Sequence, residues 1–528
     1  MIVGAGPVGL ALACRLHQYG VKCRILDKLA EPVKRTKAAA VWSRTAEIFD
    51  QMGLAESVLG HGLKVYGATF FSGGKRVARL ELDSIDSLYN YVLMIAQHKT
   101  EQVLRDYLRE QGVSVEYGSQ VAAVAQDSES VTLTLESGEV VKARWAVGCD
   151  GAHSFVRQAL GLSFDGQDLT SQWIVGDLDL EGLPLQDELI LIMHKDGPAG
   201  LFPLGGSLFR VVAETEKSDQ DVESVLTRLV EERVEGEGLR VTRVHDAGYF
   251  SIHERQVKRY KVGRVFLAGD SAHVQSPIGG QGMNTGIQDA NNLAWKLAMA
   301  AKALTGEAIL ETYHEERHPV AEWLVDATSK GTAIVTNQNP LVAAFRGQAT
   351  RLMAALPLVQ NKLRSTLSEL EINYRGSSLC REAQYIGGEW GDGEGVRAGE
   401  RAPDGVVEID GEASRLSEHT RDCRLHLLLF DCGHPFYILK FSRLLKNVQE
   451  KHSALVQPVL VSILPKNAEE VDCLFLLDSQ KLLHKQYGAS EPSLYLLRPD
   501  GYVAYRSKPV DEVELLNLLD EWAAFGEM

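Results

Sequence analysis

A glycine-rich turn stands near the start of the chain. Gly4, Gly6 and Gly9 match the pattern G-x-G-x-x-G, an apolar segment precedes them, and residues 10–19 continue with helix-forming side chains. Glycine at these positions permits a tight turn and lets backbone N–H groups approach a pyrophosphate, while the N-terminus of the following helix attracts negative charge. The pattern and its surroundings predict a dinucleotide-binding site.

An acidic residue follows the second apolar run. Residues 21–26 read as a strand that ends at Asp27. A carboxylate about twenty residues beyond the glycines accepts hydrogen bonds from the ribose hydroxyls of an adenosine. Lys28 comes next in the sequence, and we include it in the predicted nucleotide site.

Two further motifs each combine an apolar strand with an acidic turn. Residues 145–147 run into Asp150-Gly151, and residues 263–268 run into Gly269-Asp270, with Gly-Gly-Gln-Gly-Met-Asn following at 279–284. An acid at the end of such a strand is placed against the polyol of a bound cofactor. A phosphate-binding turn combined with a polyol-binding acid indicates FAD.

The three motifs, in this order and at this spacing, resemble those of the class A flavoprotein monooxygenases. These are the single-component aromatic hydroxylases related to phenol hydroxylase and para-hydroxybenzoate hydroxylase. The resemblance covers residues 1–375 through the motifs and the remainder more weakly. It implies an α/β fold with a Rossmann-type FAD-binding domain, an inserted β-sheet substrate domain and a C-terminal thioredoxin-like α/β domain.

The domain boundaries follow from this resemblance and from the residue patterns. Residues 173–213 alternate as strands do, and Ser218–Val234 read as an amphipathic helix. We expect the FAD-binding domain at 1–165 and 255–375, the substrate domain at 166–254 with a contribution from 65–95, a linker at 376–400, and the thioredoxin-like domain at 401–528. The last domain has no C-x-x-C motif and therefore no dithiol for redox exchange.

The resemblance also implies roles for individual residues. Asp270 is expected to bind a ribityl hydroxyl, Gln97 to contact the cofactor, and Arg44 to lie near the pyrophosphate and the nicotinamide donor. The helix that Gly282 opens is expected to face the flavin pyrimidine, where its dipole stabilises negative charge. Pro277 and Gly279 match the loop over the isoalloxazine. The full predicted cofactor set is Gly4, Gly6, Pro7, Val8, Gly9, Asp27, Lys28, Arg44, Gln97, Asp150, Gly269, Asp270, Pro277, Gly280, Gly282, Met283 and Asn284.

The implied reaction is hydroxylation of a phenolic or polycyclic aromatic substrate. NADPH or NADH reduces a non-covalently bound FAD, and O₂ then gives a flavin C4a-hydroperoxide that delivers one oxygen atom. The sequence has no second G-x-G-x-x-G, which is in keeping with a transiently bound donor and disfavours the disulfide reductases. Baeyer–Villiger or epoxidising chemistry and a flavin oxidase or dehydrogenase stay open. A halogenase and a non-catalytic nucleotide-fold protein are disfavoured.

Residues that bind the substrate are less well defined by the sequence. Aromatic, histidine and arginine side chains on the inserted sheet are candidates for lining an aromatic pocket, although each has a core or surface position as its alternative. These candidates are His194, Phe202, Phe209, Arg210 and His253.

Composition bounds the remaining possibilities. The 528 residues carry a formal charge of −16, which argues against nucleic acid or an anionic membrane as partner. There is no uninterrupted apolar run of membrane-spanning length. The seven scattered cysteines are typical of reduced cytoplasmic thiols and predict no metal site. We expect a cytoplasmic enzyme that can form a homodimer.

Overall fold

The chain divides into two units. The computed structural model describes residues 1–33, 38–183, 185–216, 220–234, 239–277, 279–336, 356–383, 395–433, 435–465 and 473–524. The first unit comprises Met1–Cys14, Cys23–Ala290 and Pro319–Leu370, and the second comprises Arg15–Lys22, Asn291–His318 and Glu371–Met528. The domain boundaries predicted above are a different division of the chain and stay a prediction.

The bounds of the regular elements are as follows. The strands are β1 Ile2–Val3, β2 Ile25–Leu26, β3 Ala40–Val41, β4 Leu63–Val65, β5 Gly67–Ser72, β6 Lys75–Glu81, β7 Val92–Met94, β8 Val115–Glu116, β9 Val121–Gln126, β10 Val131–Leu135, β11 Val140–Ala143, β12 Ala146–Gly148, β13 Asp165–Glu181, β14 Leu189–Met193, β15 Ala199–Gly205, β16 Leu208–Thr215, β17 Arg240–Gln256, β18 Lys261–Val262, β19 Val265–Leu267, β20 His273–Val274, β21 Arg381–Glu382, β22 Val406–Ile409, β23 Glu412–Arg415, β24 Leu425–Phe430, β25 Val456–Ser462, β26 Leu474–Leu477, β27 Ser493–Leu497 and β28 Val503–Ser507. The α-helices are α1 Pro7–Gln18, α2 Ser43–Gln51, α3 Ala55–Leu59, α4 Gln97–Glu110, α5 Phe155–Ala159, α6 Val222–Arg233, α7 Gly282–Ala301, α8 Thr312–Thr336, α9 Pro357–Ser368, α10 Pro435–His452, α11 Leu482–Gln486 and α12 Glu512–Ala523.

A mostly parallel sheet carries the three sequence motifs. Its strand order is β18-β19-β12-β1-β2-β8, and only the β18–β19 pair is antiparallel. The carboxyl ends of parallel strands meet at one edge of a sheet, which is where α/β proteins bind nucleotides. Gly4 follows β1, Asp150 follows β12 and Gly269 follows β19. The topology therefore brings residues from three distant parts of the sequence to the same edge.

A second sheet of the first unit has the order β20-β17-β13-β16-β15-β14-β5-β6. Helix α6 covers one of its faces, where Leu178 and Phe209 of the sheet are fully buried with Leu226 of the helix. A Cβ atom on Gly176 would lie 2.3 Å from the Leu226 side chain, so glycine is needed for this close approach. Because side chains alternate along a strand, Asp177 and Arg210 belong to the opposite face.

Helix α6 begins later than the sequence suggests. The pattern places its start at Ser218, but the helix starts at Val222, and Ser218 lies outside the described residues. The side chain of Asp221 accepts a hydrogen bond from the Ser224 N–H at 3.0 Å, which caps the helix. The start at Val222 is explained by the Asp221 cap, and the predicted start at Ser218 lies outside the described residues.

The second unit is built around a sheet of order β21-β28-β27-β24-β25-β26-β22-β23. Strands β24, β25 and β26 run parallel to one another, whereas β27 is antiparallel to both of its neighbours, β24 and β28. All residues of β24, β27 and β28 are buried, as expected for strands covered on both faces. Each of the seven cysteines of the chain is a free thiol.

A buried ionic cluster lies within the second unit. The Glu316 carboxylate accepts hydrogen bonds from Lys296 Nζ at 2.7 Å and from Arg498 Nη1 at 2.6 Å. Arg498 also pairs with Asp500, which accepts a hydrogen bond from the Trp295 indole at 3.0 Å. All four charged side chains are fully or almost fully buried. Burial of charges is costly, so the loss of one partner is expected to destabilise this unit strongly.

Across the described ranges, every helix is too short or too polar to cross a lipid bilayer.

Candidate functional site

The glycines of the first turn differ in their surroundings. Gly4 has φ +104°, and a Cβ there would lie 2.3 Å from the Cys149 carbonyl oxygen. A Cβ on Gly9 would lie 2.0 Å from the Gly4 carbonyl oxygen, whereas one on Gly6 would meet nothing within 4 Å. Packing of the protein itself therefore requires Gly4 and Gly9. Gly6 faces open space where its backbone is accessible to a ligand, as a pyrophosphate-binding turn needs.

Asp27 stabilises this turn from the second strand. Its Oδ2 accepts a hydrogen bond from the Ala5 N–H at 2.7 Å, and its Oδ1 accepts one from the Leu29 N–H at 2.9 Å. Two backbone donors thus fix the carboxylate beside the glycine turn. The adjacent Lys28 side chain is exposed.

The Gly-Asp turn packs directly against the first turn of α1. Gly269 has φ +62°, and a Cβ there would lie 2.8 Å from Val8 Cγ2. A Cβ on Gly286 of α7 would lie 2.6 Å from the same Val8 atom. Neither position has room for a larger residue. Three segments that are far apart in the sequence are therefore in van der Waals contact.

Asp289 holds the Gly-Asp turn from α7. Its Oδ2 accepts a hydrogen bond from the Gly269 N–H at 3.0 Å and lies 2.8 Å from His273 Nε2. Asp289 and His273 are both buried, and the imidazole stacks on Tyr260. The Asp270 side chain is exposed at this turn. Sequence reasoning missed Asp289, although a lone acid on the apolar face of a helix was an available signal.

The Asp-Gly motif makes contacts of its own. Asp150 Oδ2 accepts a hydrogen bond from the Val156 N–H at 3.1 Å, so this carboxylate stabilises the start of α5. From α5, Arg157 donates to the Ser271 carbonyl oxygen at 3.2 Å, and Ser271 Oγ donates to the Gly148 carbonyl oxygen at 2.6 Å. The two acidic turns are thereby linked to each other.

Trp42 and Asn284 bind the loop of residues 277 and 279–281, which we call the flavin loop after its predicted role. The Trp42 indole N–H donates to the Gly279 carbonyl oxygen at 2.7 Å. The Asn284 amide donates to the carbonyl oxygens of Ala40 at 2.9 Å and Gly280 at 2.8 Å, and its Oδ1 accepts from the Trp42 N–H at 2.9 Å. Sequence reasoning included Asn284 but missed Trp42.

The other predicted residues of this site have separate environments. Pro277 is exposed at the start of the flavin loop, while Met283 is buried in the first turn of α7, which Gly282 opens. Gln97 begins α4, where its Oε1 accepts a hydrogen bond from the Ala38 N–H at 3.1 Å. Arg44 is buried in α2 and pairs with Glu47 at 3.0 Å. The contacts described for these residues are all with protein atoms, so the roles of the residues in cofactor binding stay predictions.

A cavity of about 390 Å³ lies in the first unit, bounded by the segment at 94–99 and by strands of the second sheet. Burial, followed by the charge of Lys99, lowers the pKa of His98 below its ordinary value of 6.5, so this imidazole is neutral at neutral pH. The lining residues are His61, Met94, Ile95, Ala96, His98, Lys99, Asp177, Leu204, Leu208, His245 and Asp246. The cavity thus combines apolar walls with acidic and basic groups.

None of the five predicted pocket residues is among those lining this cavity. Phe209 is buried under α6, while Arg210 is buried on the opposite face and pairs with Asp177. Phe202 packs against a cluster that contains Trp42. His194 lies next to Asp196 at the end of β14, and His253 lies on an exposed part of the sheet, paired with Asp168. Their roles in substrate binding stay predictions.

The fold and the site define a flavoprotein monooxygenase. The family model described as "FAD binding domain" matches residues 1–328, and the chain belongs to this family of FAD-dependent aromatic hydroxylases. The predictions of an enzyme, of its class and of FAD as its cofactor are confirmed. The glycine-rich turn fits FAD, because no protein atom lies within 4 Å of the position that a Cβ on Gly6 would take, which leaves space for the pyrophosphate.

Named relatives span most or all of the chain. The 6-methylpretetramide 4-monooxygenase of Streptomyces rimosus is 32% identical and covers 100% of this chain and 95% of its own length. The rifampicin monooxygenase of Streptomyces venezuelae is 35% identical over 70% of this chain and 77% of its own. The solved structure of the anhydrotetracycline hydroxylase from Streptomyces rimosus has a TM-score of 0.76 at 28% identity, and covers 99% of this chain and 98% of its own.

Proposed function

We propose that this protein hydroxylates a phenolic ring of a polycyclic aromatic compound, using FAD, O₂ and NADPH or NADH. The observation that carries the proposal is the meeting of the Gly4, Asp150 and Gly269 turns at one sheet edge, with α7 packed against them. When bound, FAD supplies the redox chemistry by accepting hydride and activating O₂. Two of the relatives named above, the 6-methylpretetramide 4-monooxygenase and the anhydrotetracycline hydroxylase, support this substrate class.

The residues proposed to hold FAD come from each of the motifs. The backbone around Gly6 receives the pyrophosphate, and the Asp27 carboxylate, fixed by two N–H groups, receives the adenosine ribose. Asp270, presented by the turn that Asp289 holds, receives a ribityl hydroxyl. Helix α7 directs its positive end toward the flavin from Gly282. Arg44, Gln97 and Asp150 complete the proposed set.

We propose the 390 Å³ cavity as the substrate site. Its volume is in the range of small-molecule pockets, and it begins at the segment that leads into Gln97. Neutral His98 is a suitable acceptor for the proton of a phenolic hydroxyl, and Lys99 provides positive charge for the resulting phenolate. A deprotonated phenol is more electron-rich, which favours attack on an electrophilic oxygen.

Further proposals concern the second unit and the setting of the enzyme. We propose a thioredoxin-like fold for residues 401–528, supported by parallel β24 and β25 beside antiparallel β27 and β28. The domain boundaries given above, a cytoplasmic location and a homodimer are part of the same proposal. The seven free thiols support a reducing compartment.

The test begins with the purified protein, which should be yellow and should release FAD into the supernatant after acid precipitation. A panel of phenols, including tetracyclic ones, is then screened for stimulated NADPH or NADH oxidation, with mass and NMR analysis of products. A ring hydroxyl in the product supports the proposal. A lactone or an epoxide supports the Baeyer–Villiger or epoxidising alternative, and hydrogen peroxide as the only product supports an oxidase.

A further inference from the structure

Arg210 is hydrogen-bonded both to Asp177, in the wall of the cavity, and to Ala38, in the segment that contacts the flavin loop. Its Nε and Nη2 each donate to one oxygen of Asp177, both at 2.8 Å. Its Nη1 donates to the Ala38 carbonyl oxygen at 3.4 Å. The guanidinium is buried, with 5% of the side chain exposed. A bidentate ion pair of this kind has a fixed geometry, so movement of the carboxylate displaces the guanidinium.

Residues 38–42, which we call the hinge segment, are held from several sides. Gln97 accepts from the Ala38 N–H, and Asn284 binds both Ala40 and the N–H of Trp42. Trp42 in turn donates to Gly279 in the flavin loop. The hinge segment therefore has direct hydrogen bonds to the flavin loop on one side and to Arg210 on the other.

Asp177 is the member of the pair that a substrate can reach. It lines the cavity, and 22% of its side chain is exposed. Both of its oxygens already accept from Arg210. A phenolic hydroxyl that donates to Asp177 competes with the guanidinium for the same oxygens. The interaction of Arg210 with Asp177 is therefore weaker when the cavity is occupied than when it is empty. A ligand can shift a conformational equilibrium only through an interaction that differs between the two states, and this ion pair provides one.

We propose that Asp177 and Arg210 are positioning residues that couple occupation of the cavity to the hinge segment, and through it to the rate of flavin reduction. The inference rests on the proposed function, which places the substrate in this cavity. It goes beyond that function because it assigns the coupling to one ion pair. In the empty enzyme the intact pair holds the hinge segment through Ala38, and a substrate that binds Asp177 weakens this restraint.

The test is anaerobic stopped-flow reduction of the FAD-loaded enzyme by NADPH, first without any phenol. Asp177→Asn removes the negative charge of the pair with little change of side-chain shape. Arg210→Lys keeps the positive charge but removes the bidentate geometry. Each is expected to raise the basal reduction rate by roughly tenfold, within the usual range for coupling between two sites. The double variant should match the single variants, because both changes break the same interaction. Glu181→Gln is the matched control, since it breaks the exposed Glu181–Arg240 pair on the same sheet.

The same measurement is repeated with the most stimulating compound from a panel of pentachlorophenol, 4-nitrophenol and anhydrotetracycline. Stimulation in the wild type that shrinks by roughly tenfold in both variants, at unchanged FAD content, supports the coupling. Unchanged basal rates in both variants overturn it, whether or not a phenol stimulates the wild type. The absence of stimulation in the wild type, with raised basal rates in the variants, contradicts the proposed substrate class and leaves the role of the ion pair supported.

Discussion

Asp289 and Gly269 are joined by a hydrogen bond of 3.0 Å, in which the buried carboxylate accepts from the backbone N–H of the Gly-Asp turn. The same oxygen lies 2.8 Å from His273 Nε2. One side chain of α7 thus sets the conformation of a turn that follows β19. The position of Asp270, the residue proposed to bind the ribityl chain, depends on this contact.

Asp289→Ala is therefore expected to weaken FAD binding without touching the cofactor. Loss of a buried acceptor leaves the Gly269 N–H unsatisfied, which costs about 1–3 kcal/mol, or roughly five- to 150-fold in affinity. FAD titration of the apoprotein measures this. Asp106→Ala, on the exposed side of α4, is the control. Equal FAD affinity in the Asp289 variant and the control would show that Asp289 does not support FAD binding.

Alanine substitutions separate the two kinds of glycine in the first turn. In Gly9→Ala the new Cβ would lie 2.0 Å from the Gly4 carbonyl oxygen, so the apoprotein itself should be destabilised. In Gly6→Ala nothing of the protein lies within 4 Å of the new Cβ, so the apoprotein should keep its stability and lose FAD affinity. Thermal unfolding of the apoproteins and FAD titration test the pair. Tight FAD binding by Gly6→Ala would show that no ligand approaches this position.

Acid should destabilise the second unit through Glu316. Burial alone would raise the pKa of this carboxyl group, but the charges of Arg498 and Lys296 outweigh it and hold the pKa well below 4.5. A carboxylate with a depressed pKa stabilises the fold above its unfolded value and loses this contribution as the pH falls toward the folded value. The free energy of unfolding should therefore fall as the pH drops below 4.5. In Glu316→Gln this part of the pH dependence should disappear, and stability at neutral pH should fall by about 3–5 kcal/mol.

Urea unfolding at several pH values checks this, with the neighbouring exposed Glu315→Gln as control. A Glu316 variant as stable as the control at neutral pH would show that the ion cluster contributes nothing net.

Activity should depend on the protonation of His98. Its pKa is below 6.5, so kcat/KM for a phenol should fall as the pH drops through that lowered value. His98→Asn should reduce kcat/KM by roughly a hundredfold and remove this acidic limb. The pH profile is compared with that of His419→Asn, in the second unit, where the imidazole interacts with Ser414. An unaltered acidic limb in the His98 variant would assign the proton transfer elsewhere.

The cysteines of the C-terminal region should be dispensable. Burial raises the pKa of Cys423 to about 12 and that of Cys432 to about 11, so these thiols are poor nucleophiles. Serine replacements at Cys423, Cys432 and Cys473 should keep substrate-dependent turnover within about twofold of the wild type, as expected for changes away from the site. A large loss of turnover in folded, FAD-loaded protein would indicate a thiol function.

Local backbone requirements made part of this molecule predictable from the sequence. Gly4 and Gly269 have a positive φ, and Gly9 has no room for a Cβ, so glycine is required at these positions and the sequence motif identifies them. Asp289 and Trp42 were missed because their roles depend on partners that are distant in the chain. The alternation along β16 shows that Phe209 and Arg210 face opposite sides, but it does not show which side borders a cavity. That information comes from α6, which covers one face only.

The most direct test of oxygen transfer from O₂ to an aromatic ring is turnover under dioxygen labelled with the oxygen-18 isotope. The enzyme, NADPH and the phenol that most stimulates NADPH oxidation are incubated together, and the product is analysed by mass spectrometry. We expect one labelled oxygen atom on the aromatic ring for each NADPH consumed by productive turnover. A product without label, or labelled hydrogen peroxide alone, would contradict it.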